Sequence, residues 1–263
     1  MLTFVKLGGS LITDKRGVEV FHAERTAALA RAIQQARQAR PDLQLVIGHG
    51  SGSFGHVAAH RHQTAAGVRT AAEWEGFAEV ARAAGRLNRL VTDALAGAGI
   101  PVWNLQPSAS AECADGALQR LEVRPLQVAL EHGLVPLVYG DVALDTVRGG
   151  TIVSTEALFF FLAPVLRPER VVLLGEVAGV LDPAGRVIPR ITPLDLPEIE
   201  VALGGSHGVD VTGGMASKVR DMVALVTAIP GLTVQIVSGL DADLVRQVLV
   251  TPDSAAGTVI CGG

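Results

Sequence analysis

The chain has 263 residues, of which 49% are hydrophobic and 18% are charged, and its formal net charge is −4. This length is sufficient for a sizeable hydrophobic core, and the acidic balance argues against a nucleic-acid-binding protein, which usually presents a basic face. Cys113 and Cys261 provide neither a disulfide framework nor metal-ligand spacing. No apolar run reaches the roughly 18–20 residues of a membrane span, and the first residues resemble a strand rather than a signal peptide. We therefore expect a soluble, cytoplasmic protein without nucleic-acid or membrane partners.

In the first half of the chain, short β-type runs alternate with longer, alanine-rich runs of helical periodicity. This alternation predicts βαβ units around a mostly parallel sheet that is covered by helices on both faces, which is a three-layer αβα sandwich. The predicted strands are 3–7, 43–48, 100–105 and 134–140, and the predicted helices are 22–38, 70–97 and 124–133.

The second half begins with two β-type runs within residues 141–154, and the Arg-Gly-Gly between them predicts a hairpin. No low-complexity linker or internal repeat divides the chain. We therefore predict a single α/β domain over residues 1–263, with one continuous sheet and two lobes of about 1–165 and about 166–263. The remaining predicted helices are 155–163, 215–228 and 241–249, and the remaining strands are 171–175, 233–239 and 258–260.

Three glycine-rich loops follow strand ends or open a helix. They are Gly8-Gly9-Ser10, the segment 50–55 and Thr212-Gly213-Gly214. In an open α/β sheet, ligands bind outside the carboxyl ends of the strands. Glycine there lets clustered backbone N–H groups approach an anion, phosphate above all. A single loop of this kind would fit a tight connection equally well.

Lysines accompany these loops at Lys6, Lys15 and Lys218. An ammonium on a flexible stem suits a phosphate that moves during a reaction, so loops and lysines together predict a site for several phosphate groups. The chain has no P-loop motif. The second loop does match the dinucleotide fingerprint G-x-G-x-x-G. That fingerprint also requires a strand that ends in Asp or Glu about 20 residues further on, and here that region is predicted to be a helix. We therefore favour phosphate chemistry over dinucleotide binding.

Five stretches follow one another in a characteristic order. They are KLGGSLITDK at 6–15, HGSGSFGH at 49–56, LQPSA at 105–109, YGDVALD at 139–145 and DVTGGMASK at 210–218. On these stretches the chain resembles the amino acid kinase superfamily and, within it, the isopentenyl phosphate kinases. The resemblance implies Mg²⁺-dependent transfer of the γ-phosphate of ATP to isopentenyl phosphate, which gives isopentenyl diphosphate for isoprenoid biosynthesis. It also implies a homodimer, an N-terminal lobe for the acceptor and a C-terminal lobe for ATP.

The resemblance also implies residue roles. Lys15 corresponds to the group that stabilises transition-state charge, Lys6 and Lys218 to cations on the nucleotide phosphates, and His56 to the group that holds the acceptor phosphate. Because the acceptor is already a phosphate, catalysis needs positioning and charge neutralisation more than a base. The further nucleotide positions are Gly8, Gly9, Ser10, Gly52, Glu176, Gly179 and Gly214. The acceptor positions are Gly50, Ser51, Gly55 and Thr155, and the tail-lining positions are Phe77, Val80, Val142 and Ile152.

Other interpretations stay open at this stage. A fosfomycin or other phosphonate kinase shares much of the pattern, and a regulatory nucleotide-binding module could keep the fold without turnover. His56, His60 and His62 have a spacing that resembles metal ligands, although on one helix His62 would face away from the other two. The four tail-lining residues fit ordinary core packing equally well.

Two positions depart from the family pattern. Ser154-Thr155-Glu156 stands where the family has Ser-Gly-Asp, which places a side chain where bare backbone would contact the acceptor phosphate. Gly175-Glu176 stands where the family has Thr-Asp, which alters the adenosine side. Mg²⁺ often binds through one or two carboxylates plus substrate phosphates. Asp141 is predicted to orient the lysines or Mg²⁺, with Asp145 and Asp210 as alternatives.

Overall fold

The computed structural model describes residues 1–204 and 214–262, so Asp210, Thr212 and Gly213 lie outside the described residues. The predicted elements are present, and their ends shift by only a few residues. The strands are β1 (Leu2–Leu7), β2 (Gln44–His49), β3 (Val102–Asn104), β4 (Glu112–Ala114), β5 (Ala117–Arg120), β6 (Val135–Tyr139), β7 (Asp141–Asp145), β8 (Gly149–Val153), β9 (Arg170–Gly175), β10 (Arg190–Ile191), β11 (Thr233–Ser238) and β12 (Thr258–Cys261). The helices are α1 (Gly9–Ile12), α2 (Ala23–Ala39), α3 (Gly52–His62), α4 (Ala71–Gly97), α5 (Arg124–Glu131), α6 (Thr155–Leu166), α7 (Leu196–Gly204), α8 (Gly214–Ala228) and α9 (Ala242–Val250).

The main sheet has eight strands in the order β10-β12-β11-β9-β1-β2-β6-β3. Its neighbouring strands are parallel except for the pair β11 and β12, so the prediction of a mostly parallel sheet is confirmed. Leu7 at the end of β1 pairs in register with His49 of β2 on one side and with Leu174 of β9 on the other. The carboxyl ends of these three central strands therefore lie side by side.

Residues along β1 alternate between two hydrophobic cores, as the period of a strand requires. Phe4 belongs to the core beneath α6 and α8, where its ring lies 4.9 Å from that of Phe159. Val5 belongs to the core beneath α2, α4 and α9. Helices thus cover both faces of the sheet, and the predicted three-layer αβα architecture is confirmed.

A second, four-stranded sheet has the order β5-β4-β7-β8. The predicted hairpin is correct, but the prediction of one continuous sheet is wrong, because the hairpin pairs with β4 rather than with the main sheet. Strands β4 and β5 were not predicted. Asp115 and Gly116 join them, both with positive φ, as in the turn that Asp-Gly favours in tight hairpins. The carboxylate of Asp145 accepts the N–H groups of both turn residues.

Helix α4 is 27 residues long and agrees with the predicted helix at 70–97. Thr70 and Glu73 form a capping box that satisfies backbone N–H groups at its start. Its buried stripe packs against α2, α3 and the hairpin, and it runs from Gly76 to Leu95. Within the described part of the chain, no helix is both long enough and apolar enough to cross a membrane.

Gly48 on β2 should tolerate no side chain. An added Cβ would lie 2.5 Å from Cγ2 of Thr155 and 2.8 Å from Cζ of Phe159. We expect Gly48→Ala to lower the free energy of unfolding by about 1–3 kcal/mol through overpacking, as measured by urea denaturation. Gly85→Ala is the matched control, since a Cβ at Gly85, in the interior of α4, would meet nothing within 4 Å. This control should stabilise by about 0.5–1 kcal/mol, and equal effects of both changes would contradict the packing argument.

Candidate active site

A cavity of about 530 Å³ opens at the carboxyl edge of β1, β2 and β9. It is bordered by the loops that follow these strands, by the end of the hairpin and by the first turns of α6 and α8. The predicted residues that line it are Lys6, Gly8, Gly9, Ser10, Lys15, Gly50, Ser51, His56, Ile152, Thr155, Glu176 and Lys218. The structure thus brings the three lysines and the histidine into one cavity.

Bare backbone is needed where the strand ends meet. A Cβ at Gly8 would lie 2.7 Å from the carbonyl oxygen of Leu174, and one at Gly9 would lie 2.7 Å from the nitrogen of Gly52. Gly50 approaches Gly9 just as closely, with 3.0 Å between its added Cβ and the Gly9 nitrogen. Glycine at these positions therefore lets the loops after β1 and β2 contact each other directly.

Several backbone N–H groups at this contact have no acceptor within the part of the chain that the structure describes. Among residues 1–204 and 214–262, no acceptor pairs with the N–H groups of Gly9, Ser10 or Ser51, all of which line the cavity. Deeper in the loop, the N–H of Ser53 donates to Oγ1 of Thr13 at 2.9 Å. Backbone donors at the start of helices attract anions, so this edge of the cavity suits phosphate oxygens.

Glu156 forms an ion pair with Lys6 inside the cavity. Its side chain is 22% exposed and lies in the first turn of α6, while Lys6 is near the end of β1. Burial opposes ionisation of this carboxyl, but Lys6 and then Lys218 outweigh that effect, so the pKa of Glu156 is held below its usual value. The carboxylate therefore carries a negative charge at neutral pH and holds the Lys6 ammonium in place.

Asp221 also lines the cavity, on the same face of α8 as Lys218. Burial raises the pKa of Asp221, and so does the negative charge of Glu156, whereas Arg220 opposes the increase. Neither Glu156 nor Asp221 is among the site residues predicted from the sequence. The spacing Lys-x-x-Asp on a predicted helix was a usable signal for Asp221, but nothing local indicated that Glu156 would pair with a lysine 150 positions away.

The hydroxyl of Thr155 points into the protein. It donates to the carbonyl oxygen of His49 at 2.6 Å, and Thr155 is 1% exposed. Thr155 nevertheless lines the cavity, and its hydroxyl is turned inward because a buried carbonyl offers it a partner and Gly48 leaves room for the methyl group. The effect of this side chain on the acceptor stays a prediction.

Asp141 does not reach the lysines either, which corrects its predicted role. Its carboxylate is buried and accepts the N–H groups of Ser108 at 3.1 Å and Val142 at 2.9 Å. Burial raises the pKa of Asp141, although these hydrogen bonds oppose the increase. The alternative, Asp145, accepts N–H groups in the turns of the four-stranded sheet, including that of Arg148 at 2.8 Å. Both carboxylates are structural in this arrangement.

The nucleotide side of the cavity is only partly as predicted. Glu176 lies at the cavity, with its carboxylate 3.8 Å from the guanidinium of Arg25. Gly179 instead packs inside the protein, where a Cβ would lie 2.7 Å from Oγ1 of Thr258. Gly214 is the first residue of α8, one turn before Lys218. Gly52 and Gly55 are buried in the first turn of α3, behind the lining residues.

Of the four predicted tail-lining residues, all of which the structure describes, only Ile152 lines the cavity, and the other three pack behind it. Ile152 pairs across the hairpin with Val142, which is buried together with Val80 of α4. Phe77 packs against this group, and its ring would lie 2.9 Å from a Cβ at Gly150. The hairpin and α4 thus bring an apolar cluster next to the loops that offer N–H groups.

The three histidines of α3 do not form a metal site. Nε2 of His62 lies 2.9 Å from Oε2 of Glu79 on α4, and His56 faces the cavity. Over the described ranges, no group of three or more His, Cys, Asp or Glu side chains is arranged to hold a metal ion. The helical spacing explains why, because residues i and i+6 lie on different faces.

Comparison with known proteins agrees with this fold. The model of the amino acid kinase family matches residues 1–238. The isopentenyl phosphate kinase of Haloferax volcanii is 41% identical over 227 residues, which cover 85% of this chain and 88% of the relative. The isopentenyl phosphate kinase of Methanothermobacter thermautotrophicus is 33% identical, with 99% of each chain covered. A solved isopentenyl phosphate kinase structure superposes with a TM-score of 0.82 at 28% identity, over 99% of this chain and 100% of that one. The chain belongs to the amino acid kinase family.

The pair of Glu156 and Lys6 should contribute to stability at neutral pH. Glu156→Gln removes the negative charge and leaves the ammonium of Lys6 without its counter-ion. We expect the free energy of unfolding at pH 7 to fall by about 1–3 kcal/mol, measured by urea denaturation. Because the pKa of Glu156 is lowered in the folded state, its contribution is complete above the unfolded value of 4.5 and is lost as the pH falls below it.

The difference between Glu156→Gln and the unchanged protein should therefore shrink in acid. Glu79→Gln is the matched control, since that carboxylate pairs with Arg61 and His62 at the protein surface. It should have a much smaller effect on stability. A Glu156→Gln protein as stable at pH 7 as the unchanged one would show that the pair contributes nothing.

Proposed function

We propose that the protein transfers the γ-phosphate of ATP to isopentenyl phosphate and so forms isopentenyl diphosphate. The observation that carries this proposal is the convergence of Lys6, Lys15, Lys218 and His56 on one cavity that is lined by glycine loops. An apolar cluster reaches this cavity through Ile152. The relatives named above support the choice of acceptor. Two anionic partners fit this cavity, one along the lysines and the other toward His56.

The chemistry follows from the kind of acceptor. A phosphate oxygen is already a nucleophile at neutral pH, so the protein needs no strong base and acts by positioning and charge neutralisation. In this proposal Lys6 and Lys218 bind the nucleotide phosphates, and Lys15 approaches the transferred group from the cavity rim. His56 holds the acceptor phosphate. Backbone N–H groups of Gly9, Ser10 and Ser51 complete the cradle.

The cavity also fits Mg²⁺ that arrives with ATP. Such an ion needs only one or two carboxylates besides the phosphates, and Glu176 and Asp221 line the cavity in addition to the paired Glu156. Glu176 and Asp221 are therefore the residues that would hold it. When bound, the ion would neutralise charge on the phosphate oxygens.

The assembly and location of the protein stay predictions. A homodimer and a cytoplasmic location are expected from the family, as is the division into an acceptor lobe and an ATP lobe near residue 165. Light scattering of the purified chain would test the first of these expectations.

The activity is tested by coupled ADP release with Mg²⁺-ATP. Isopentenyl phosphate, dimethylallyl phosphate and fosfomycin are supplied as acceptors in parallel. We expect the highest kcat/KM with isopentenyl phosphate. A preference for fosfomycin would indicate a phosphonate kinase, and ATP binding without ADP release on any acceptor would indicate a regulatory module.

His56 should act on the acceptor side only. We expect His56→Ala to lower kcat/KM for isopentenyl phosphate by about 10–100-fold, as for the loss of a charge-assisted hydrogen bond, with the KM for ATP nearly unchanged. His60→Ala is the control, because His60 is exposed on the same helix and is not among the described residues that line the cavity. An equal effect of both changes would remove His56 from the mechanism.

Phe77 should limit the length of the acceptor tail. Phe77→Ala opens space between α4 and the hairpin, so we expect kcat/KM for longer prenyl phosphates to rise relative to isopentenyl phosphate. Leu90→Ala, at an exposed position of the same helix, should leave the chain-length profile unchanged. If Phe77→Ala lowers stability but leaves the dependence of kcat/KM on prenyl chain length as in the unchanged protein, Phe77 is a core residue.

A further inference from the structure

His49 is the last residue of β2, immediately before the 50–56 loop, and it is completely buried. Its ring stacks on that of Tyr139 with 5.5 Å between centroids and 6° between planes. It does not belong to the described lining of the cavity. The chemistry proposed above therefore gives this histidine no direct part.

Both the ring and the main chain of His49 bind residues that do line the cavity. Nδ1 lies 3.0 Å from the carbonyl oxygen of Gly50. The carbonyl oxygen of His49 accepts two hydrogen bonds, from the N–H of Gly140 at 3.2 Å and from the hydroxyl of Thr155 at 2.6 Å. Gly50, Gly140 and Thr155 come from three different parts of the chain and all line the cavity.

The partners of the ring define its tautomer. A carbonyl oxygen can only accept, so Nδ1 must carry the proton that it donates to Gly50. Burial is the main cause that lowers the pKa of His49, so the ring is neutral and Nε2 keeps a lone pair. Nε2 lies 3.1 Å from Oδ1 of Asn88 on α4. An oxygen cannot donate to the Nε2 lone pair, so this tautomer requires the amide to turn about its Cβ–Cγ bond and donate to Nε2 with its NH₂ group. The ring is thus fixed at both ends.

The hydrogen bond to Gly50 decides how the loop faces the cavity. With its carbonyl held toward the buried ring, Gly50 turns that oxygen away from the cavity, while the adjoining N–H of Ser51 remains without a protein acceptor among the described residues. A carbonyl turned toward a phosphate would repel it, whereas an N–H attracts it. The orientation of this one peptide therefore matters for an anionic acceptor.

We propose that His49 is a positioning residue for phosphoryl transfer. Through its hydrogen bonds to Gly50, Gly140 and Thr155, it fixes the position of the backbone that lines the acceptor side of the cavity. This inference rests on the proposed function. In this role His49 contacts no substrate and carries no charge. It acts by connecting the 50–56 loop, the residue after β6 and the start of α6.

Two substitutions distinguish the hydrogen bond of Nδ1 from that of Nε2. His49→Asn retains an amide NH₂ at the place of Nδ1 and so can still donate to Gly50, but it loses Asn88. His49→Gln retains an amide at the place of Nε2 and so can still meet Asn88, but it loses Gly50. We expect His49→Gln to lower kcat/KM for isopentenyl phosphate by about tenfold, with the KM for ATP changed less than about twofold. His49→Asn should stay within about threefold of the unchanged protein.

Thermal melting distinguishes this result from simple loss of packing. His49→Asn removes more buried volume and should have the lower Tm of the two, so activity and stability are expected in opposite order. If the activities follow the Tm values, or if both variants have equal kcat/KM, the ring is only a packing element and the proposal fails. An unchanged protein that turns over no acceptor would overturn the proposed function instead.

A third variant decides the matter if neither His49 variant folds. Asn88→Ala keeps the imidazole of His49 but removes the partner of its Nε2. Asn88 is a buried residue of α4 outside the described cavity lining. We expect a severalfold rise in KM for isopentenyl phosphate and an unchanged KM for ATP. A folded Asn88→Ala protein with unchanged kinetics would show that the orientation of the ring has no effect.

Discussion

The site depends on the contact between two stretches of bare backbone at the centre of the sheet. The loops after β1 and β2 approach so closely that a Cβ on Gly9 would clash with the nitrogen of Gly52. Parallel pairing of β1 with β2 and β9 fixes this approach, because the register ends all three strands at the same edge. With no side chains between the loops, their N–H groups face one space that the lysines can also reach.

Lys6 has its own counter-ion inside this space. Lys6 is neutralised by Glu156, and Lys218 influences the same carboxyl. A buried ammonium without a partner would be costly, so the carboxylate allows Lys6 to remain in place next to the apolar core. The departure from the family pattern at Thr155 has a similar structural explanation, since its hydroxyl binds a buried carbonyl and its methyl group fills the space left by Gly48.

The sequence was sufficient to predict elements with strong periodicity. The alternation of β-type and helical runs predicted the parallel sheet, and the motifs predicted that Lys6, Lys15, Lys218 and His56 would share a site. The hairpin of β4 and β5 was missed because strands of three and four residues show almost no periodicity, although the Asp115-Gly116 turn was visible. Asp141 was misjudged because a strand-end carboxylate binds backbone N–H groups as readily as it binds a cation.

Contacts between distant parts of the chain could not be predicted. The pairing of Glu156 with Lys6, and the bonds from His49 to Asn88 and Thr155, join residues that lie 39 to 150 positions apart. The sequence around a histidine that precedes a glycine loop is the same whether its ring faces solvent or stacks on Tyr139. Only the packing of α4 over β2 and β6 decides that it is buried and neutral.

The length of α4 has a consequence for how such a protein can diversify. At 1.5 Å per residue its 27 residues span about 40 Å, so one rod carries Phe77 beside the hairpin and Leu95 in the main core. The lysines and His56 lie on other elements, at the edge of the sheet. If they bind phosphate as proposed, substitutions on the first turns of this helix would change the apolar cluster and leave those groups in place, so acceptor range and catalytic power could evolve separately.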